Sequence, residues 1–316
     1  PQRIWVSVFE DDDESFEIWE KVVGVPRERI VRMGEKDNFW SSGPTGPCGP
    51  CTELYYDFKP ELGPEGADLE DDDRFIEFYN LVFMQYNRTA SGELEPLEAK
   101  CVDTGMGLER MAQILQGKPN NYETDLIFPL IEKACSLAGK RYSDLDERSR
   151  QACKVIGDHT RAVVYLISDG VTPSNIGRGY IVRRLLRRVV LKGRLLGVPR
   201  GETFTPEVAK IAVEMSPGCD PEVRQNEQRV LAEMAREEQR FCKTLDRGEA
   251  ILEDLLAAGG EVSGADAFML YDTYGFPLEI TQELAWERGV AVDVAGFETA
   301  MEEARLLSRS AHEQVD

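Results

Sequence analysis

The pattern of apolar residues changes along this 316-residue chain, and that change constrains the fold more than any other feature. Alternating and β-branched runs predict strands in the first part of the chain, at residues 4–9, 53–57 and 75–86. Residues 38–52 are rich in Gly, Pro, Ser and Cys and are predicted to form a structured loop. From about residue 124 onward helical spacing prevails, so we expect two domains with a boundary near residues 138–150.

Basic residues are concentrated in one stretch of an otherwise acidic chain. The net charge is −21, yet residues 171–200 contain eight Lys and Arg and no Asp or Glu. Helical spacing over residues 181–194 places the arginines on one side of a helix and Val and Leu on the other. One face is therefore predicted to pack and the other to present guanidinium groups, whose planar fork suits phosphate. The pattern indicates a site that attracts a polyanion, and the alternative is an ordinary solvated helix face.

The seven cysteines show no spacing typical of a disulfide framework, so we expect a reducing compartment. Cys48 and Cys51 form a CxxC, but there is no second CxxC and the only histidines are His159 and His312. We therefore expect no zinc and no other bound metal here, and the two thiols are expected to pack within the loop. No run of about 18 apolar residues predicts a membrane helix. The first residues contain no Met, signal peptide or transit peptide, so we expect a mature product or a piece of a longer protein.

Six short strings follow one another along the chain. They are Asn38-Phe-Trp40 with Gly46-Pro-Cys-Gly-Pro-Cys-Thr-Glu53, Asn80-Leu-Val-Phe-Met-Gln-Tyr-Asn-Arg88, Asp103-Thr-Gly-Met-Gly-Leu-Glu-Arg110, Asp158-His-Thr-Arg161, Asp169-Gly-Val-Thr-Pro-Ser-Asn-Ile-Gly-Arg-Gly-Tyr180 and Tyr271-Asp-Thr-Tyr-Gly-Phe-Pro277. Each string alone is a weak signal, but six in this order are highly specific. Across essentially its whole length the chain resembles alanyl-tRNA synthetases.

The resemblance implies an α+β fold in which part of a class II synthetase antiparallel sheet is followed by a mostly helical domain. It assigns residues 1–140 to the C-terminal part of the aminoacylation domain and residues 141–316 to a helical domain that recognises the tRNA acceptor stem. Only the third class II motif, ending in Gly105–Arg110, has a match in this sequence. The first and second motifs are expected before Pro1, and the editing and C-terminal domains beyond Asp316.

The implied activity is that of an alanine–tRNA ligase. The carboxylate of alanine attacks the α-phosphate of ATP, which is bound with Mg²⁺, to give alanyl-adenylate, and the alanyl group then passes to the 3′ end of tRNA(Ala). Both steps rely on alignment and neutralisation of phosphate charge rather than on a protein nucleophile. We expect this chain alone to be inactive, and its location to be the cytoplasm or the matrix or stroma of an organelle. The alternative is a non-catalytic acceptor-stem binder or a synthetase paralogue.

The resemblance assigns roles at the activation site to seven residues. Asp103 would hold the ammonium group of alanine, Asn80 would bond the substrate, and Gly105 and Gly107 would let substrate and adenine approach the backbone. Arg110 would contact ATP, and Trp40 and Val82 would enclose the methyl group of alanine. Simpler alternatives are a helix cap for Asp103, a paired surface arginine for Arg110 and a core anchor for Trp40. For Asn80, Gly105 and Gly107 the simpler alternative is an ordinary turn residue.

On the tRNA side, Asn175 and Asp272 match positions that the family uses to read a G·U wobble pair. The wide minor groove of A-form RNA exposes the guanine 2-amino group. An amide or carboxylate oxygen can accept a hydrogen bond from this group. The alternatives are a turn residue for Asn175 and a helix-end or turn residue for Asp272. Arg183, Arg184, Arg187 and Arg188 would bind phosphates without sequence preference.

Overall fold

The computed structural model describes residues 2–201, 203–218 and 220–313, with side chains up to residue 304. The chain forms two compact units, one ending at Leu126 and the other beginning at Ile127. A mostly antiparallel sheet occupies the first unit and helices the second, which confirms the α+β prediction. The predicted division of function between residues 1–140 and 141–316 stays a prediction.

The first unit is built on a six-stranded sheet. Its strands are β1 (Ile4–Phe9), β2 (Ile30–Met33), β3 (Phe39–Ser41), β4 (Gly46–Asp57), β5 (Phe75–Arg88) and β6 (Leu94–Met106). The order is β2-β1-β4-β5-β6, and β3 pairs with the first part of β4. Only β1 and β2 are parallel among these pairs, because the chain crosses over between them through α1 (Asp13–Glu17) and a π-helical turn at Ile18–Val23.

The two faces of the sheet are covered by different clusters of buried residues. Trp5, Tyr55, Leu69 and Phe75 form one cluster. Val6 and Val8 lie on the other side of β1, as the period of two requires, and pack with Phe16 and Ile30. The sheet is thus packed on both faces near β1, while β6 is exposed along most of its length.

The prediction of a loop at residues 38–52 is wrong, because β3 and the first half of β4 occupy most of this segment. A Cβ on Gly49 would lie 2.1 Å from the carbonyl oxygen of Phe83, so glycine allows β4 to approach β5 closely. The pairing of β4 with β5 shifts register between Cys48 and Cys51, which places Pro50 at an irregularity where no N–H is required. Long-range pairing therefore overrides a local composition that is typical of loops.

The second unit contains nine helices among the described residues. They are α4 (Phe128–Leu137), α5 (Glu147–Ser168), α6 (Gly177–Leu196), α7 (Thr205–Met215), α8 (Pro221–Gln225), α9 (Glu227–Ala258), α10 (Gly264–Asp272), α11 (Leu278–Trp286) and α12 (Val294–Glu313). Two shorter helices, α2 (Glu35–Asn38) and α3 (Leu108–Gln116), belong to the first unit. No helix within the described ranges is long and apolar enough to cross a membrane.

The predicted packing face of α6 is confirmed. Val182, Leu186, Val189 and Val190 are buried, with exposures of 0–2%. The chain continues through α8 and α9, and the apolar residues Val230, Met234, Phe241, Leu245 and Leu252 of α9 are buried. These contacts fix α6 and α9 relative to each other and so position the side chains that point away from the core.

Candidate functional site

Four of the predicted site residues share one face of the sheet. Asn80 and Val82 are two positions apart on β5, so their side chains point to the same side. On β6, Gly105 lies opposite Asn80 and Asp103 lies opposite Val82. Residues directly opposite each other in an antiparallel pair project to the same face. The structure therefore brings together residues that are more than twenty positions apart in the sequence.

Asp103 does not cap a helix. Residues Asp103 to Met106 complete β6, and α3 begins at Leu108 with Gly107 as a cap that has no side-chain hydrogen bond. Oδ1 of Asp103 accepts a hydrogen bond from the backbone N–H of Thr104 at 2.8 Å. The side chain is otherwise exposed, which leaves its other oxygen open to a ligand.

Arg110 lies in the first turn of α3 and is anchored by β5. Its Nη1 donates to the carbonyl oxygen of Glu77 at 2.6 Å and to Oε2 of the same residue at 3.0 Å. The side chain of Arg110 remains 44% exposed. Pairing with an acid, which was the simpler interpretation of this arginine, is thus observed, and the remaining donors are still available for a ligand. Its contact with ATP stays a prediction.

Trp40 on β3 reaches across β4. It pairs in register with Gly49, and its indole Nε1 donates to the carbonyl oxygen of Phe83 at 3.0 Å. The absence of a side chain at Gly49 leaves room for this approach. Trp40 and Val82 are both half-buried, so each keeps some apolar surface uncovered. Their enclosure of a methyl group stays a prediction.

The second unit contains a cleft of about 280 Å³ that brings the predicted tRNA residues together. Asn175, Arg183, Arg187 and Asp272 all line it. Asp272 is the last residue of α10, and its exposed carboxylate makes no hydrogen bond or ion pair with any residue that the structure describes. The amide oxygen of Asn175 instead accepts a hydrogen bond from Arg183. Of the two predicted acceptors, the carboxylate of Asp272 is therefore free and the amide oxygen of Asn175 is engaged.

The arginines of α6 are paired with carboxylates rather than freely solvated. Arg183 and Arg187 both contact Glu237 of α9, and their side chains are 15% and 14% exposed. Arg187 also donates to the carbonyl oxygen of Gly275, and burial lowers its pKa from the usual value. Arg184 and Arg188 contact Glu279 and Glu283 of α11, and each is 36% exposed. The four arginines therefore differ in how much of their side chains is exposed, and their contacts with phosphate stay a prediction.

Comparison with known proteins decides the family. A family model described as "tRNA synthetases class II (A)" matches residues 1–316. The chain belongs to this family. It is 64% identical over its whole length to "Alanine--tRNA ligase, chloroplastic/mitochondrial" of Ostreococcus lucimarinus and 60% identical to "Alanine--tRNA ligase" of Synechococcus elongatus. It spans 36% of each of these relatives, or about a third of their length.

The resemblance seen in the six strings is thereby confirmed, and the sheet of this class II synthetase chain holds a polar residue that the sequence did not single out. Glu53 on β4 is buried, with an exposure of 7%. It accepts hydrogen bonds from Tyr55 Oη at 2.7 Å, Ser7 Oγ at 3.4 Å and Asn80 Nδ2 at 3.1 Å. Burial raises the pKa of its carboxyl group. Its place at the end of one of the quoted strings was the only local signal, since its three donors lie on three different strands, β1, β4 and β5.

Arg240 of α9 is a second residue that the sequence did not single out. It lines the same cleft as Asp272 and Asn175, is exposed, and makes no ion pair within the described part of the chain. Arginines are frequent on the exposed sides of long helices, so helical periodicity alone gives no reason to select this one. Only the packing of α9 against α6 and α10 reveals it.

Class II synthetases generally use ATP with Mg²⁺. The described residues contain no group of three or more His, Cys, Asp or Glu that could hold a metal ion. Magnesium in nucleotide enzymes is commonly held by one or two carboxylates together with substrate phosphates and water. The Mg²⁺ expected with ATP stays a prediction.

Proposed function

We propose that this chain is part of an alanine–tRNA ligase that activates alanine with ATP and transfers it to the 3′ end of tRNA(Ala). The family match supports the class of enzyme, and the names of the similar proteins support alanine as the amino acid. The observation that carries the proposal is the common sheet face of Asn80, Val82, Asp103 and Gly105. A carboxylate, an amide, an apolar group and a bare backbone there match the parts of a small amino acid.

The side chains suggest a division of labour in the activation step. The exposed carboxylate of Asp103 would neutralise the ammonium group of alanine, while Val82 and Trp40 would contact its methyl group. Arg110, held by Glu77, would present its free guanidinium donors to ATP. An arginine held in advance loses little entropy when the phosphate charge arrives, which is how such groups assist phosphoryl chemistry.

The sheet also supports completion of the site by another part of the same protein. β6 pairs with β5 on one side, and no strand among the described residues pairs with its other side. It runs for 13 residues and exposes Leu94, Val102 and Met106. A long, exposed edge strand is a ready template for pairing with another strand. We infer that the remainder of the protein, which would hold the first and second class II motifs, pairs with this edge, and that residues 1–316 alone are inactive.

The cleft of the second unit would receive the acceptor stem. Asp272 offers a free carboxylate to the guanine 2-amino group of a G·U pair, and Arg183 holds Asn175 in place beside it. Arg184 and Arg188 present more of their guanidinium groups than Arg183 and Arg187, so they are better placed to contact phosphates. The name of the Ostreococcus relative, "chloroplastic/mitochondrial", supports the matrix or stroma of an organelle, with the cytoplasm as the alternative.

The test is alanine-dependent ATP–pyrophosphate exchange and tRNA charging by the full-length protein with Asp103→Asn. Loss of a charge partner that a bound ligand desolvates costs about 3–5 kcal/mol, so exchange should fall at least a hundredfold while the KM for ATP changes little. Glu98→Gln, an exposed acid on the same strand, is the matched control and should leave exchange unchanged. A full-length protein that binds acceptor-stem RNA without exchange would support the non-catalytic alternative.

A further inference from the structure

We propose that Glu53 is a positioning residue that fixes the amide of Asn80, so that the amide oxygen is the one presented to the amino group of the substrate. The inference rests on the proposed function, because it concerns how the activation site recognises an ammonium group. It follows from the hydrogen bonds around Glu53, from the burial of that residue and from the missing hydrogen-bond partner of the Asn80 amide oxygen.

The hydrogen bonds around Glu53 have only one consistent set of directions. Asn38 Nδ2 donates to Ser7 Oγ at 2.8 Å, so the single proton of that hydroxyl is free to point towards Glu53 at 3.4 Å. Tyr55 Oη donates to the same carboxylate oxygen at 2.7 Å. An ionised carboxylate only accepts, so the group of Asn80 that faces it at 3.1 Å must be the nitrogen.

This orientation leaves the other end of the amide without a partner. Oδ1 of Asn80 is buried and accepts no hydrogen bond from any residue that the structure describes. A buried acceptor without a donor destabilises a protein. Such an oxygen is therefore a site at which a donor from a ligand is expected. Gly105, directly opposite Asn80 on β6, has no side chain to supply one.

An ammonium group supplies what is missing. It carries three donors and one positive charge, whereas the Asn80 oxygen and the Asp103 carboxylate are both acceptors on the same sheet face. If the amide were reversed, its NH₂ group would face the ammonium group and both would be donors. Glu53 therefore contributes to amine recognition without touching the substrate, by excluding the reversed amide.

The charge on Glu53 provides a signature for this role. The titratable groups that face it are Glu77 of β5, Asp37 of α2, and Cys51 and Tyr55 of its own strand. Burial is the main cause that raises the pKa of Glu53, and Glu77 and Asp37 add to it by repulsion. Protonation would turn one oxygen into a donor and release the amide of Asn80. The KM for alanine should therefore rise as the pH falls through the raised pKa of Glu53.

The experiment measures the KM values for alanine and ATP, and kcat, by pyrophosphate exchange with full-length protein between pH 5.5 and 8. Glu53→Gln can face Asn80 with either an oxygen or a nitrogen, so we expect the KM for alanine to rise about tenfold at neutral pH and to lose part of its pH dependence, with the KM for ATP unchanged. Glu53→Asp, which keeps the charge but retracts it by one methylene, should raise the KM for alanine and retain the pH dependence. In an Asn80→Ala background, Glu53→Gln should have no further effect on the KM for alanine.

These outcomes separate the positioning role from a purely structural one. A structural role would lower the active fraction, and hence kcat, while leaving the KM for alanine and its pH profile unchanged in both Glu53 variants, and that result would overturn the inference. Additive effects of Glu53→Gln and Asn80→Ala on the KM for alanine would also overturn it. Absence of alanine-dependent exchange by the unmodified full-length protein would instead overturn the proposed function.

Discussion

Arg187 of α6 is fixed by contacts that make it a stability determinant of the helical unit. Its Nε donates to Glu237 Oε1 at 2.9 Å, its Nη1 donates to the carbonyl oxygen of Gly275, and its guanidinium carbon lies 4.9 Å from the ring centre of Phe241. The two charged side chains are 14% and 3% exposed. Arg187→Ala should therefore open the contact between α6, α9 and the turn after α10.

The size of this effect follows from burial. Removing one partner of a buried ion pair lowers the stability of the fold by about 3–5 kcal/mol. We take about 3 kcal/mol, because Arg183 Nη2 remains 3.4 Å from Glu237 and still partly neutralises it. Arg184→Ala is the matched control on the same helix. Its pair with Glu279 is 36% and 45% exposed, and an exposed pair contributes about 0–1 kcal/mol.

The assay is hydrogen exchange of the full-length protein, measured by mass spectrometry on peptides from α9, α10 and α11. A loss of about 3 kcal/mol accelerates exchange that requires opening of this contact by about a hundredfold, whereas the control should change it by less than about fivefold. Equal, small changes in the two variants would refute the reasoning. If Arg187→Ala leaves exchange unchanged but weakens G·U and G·C minihelices equally, with a flatter salt dependence, Arg187 is a phosphate contact instead.

Three further predictions concern other parts of the chain. Asp272→Ala and Asn175→Ala in the full-length protein should each reduce the preference for a G·U over a G·C minihelix by about 1–3 kcal/mol, and full preference in both binding and charging would make these residues structural. Iodoacetamide at neutral pH should alkylate the exposed Cys101 well before Cys51, because burial raises the pKa of Cys51 to about 12, and similar rates would contradict this. Burial raises the pKa of Glu238, so the stability associated with its protonation is complete below the ordinary pKa and is lost as the pH rises through the raised one. The denaturation midpoint should therefore fall less steeply with rising pH in Glu238→Gln than in the unmodified protein. Parallel pH profiles of the midpoint for these two proteins would show that Glu238 does not cause the fall.

Local patterns predicted several parts of this structure correctly. The alternation of apolar residues in residues 4–9 and 75–86 reflects which side chains project to the core. The strands predicted from it are observed in both segments. The spacing of Val182, Leu186 and Val189 depends only on the helical repeat, and all three are buried.

Long-range contacts decided what local patterns could not. Gly49 and Pro50 lie in a strand because β3 pairs with them, although their composition is typical of a loop. Asp103 shares a sheet face with Val82 because β5 and β6 are in a particular register, and a shift by one residue would move the carboxylate to the other face.

The candidate sites show the same division most clearly. The sequence by itself determined that α6 has an arginine face opposite an apolar face, because both follow from the helical repeat. Only the tertiary structure decided that Glu237, 50 residues further along, neutralises Arg187, and that Glu53 receives a hydrogen bond from Asn80, 27 residues away. The physical reason is that periodicity records which side of an element faces the core, whereas the partner of a charge depends on how distant elements pack against one another.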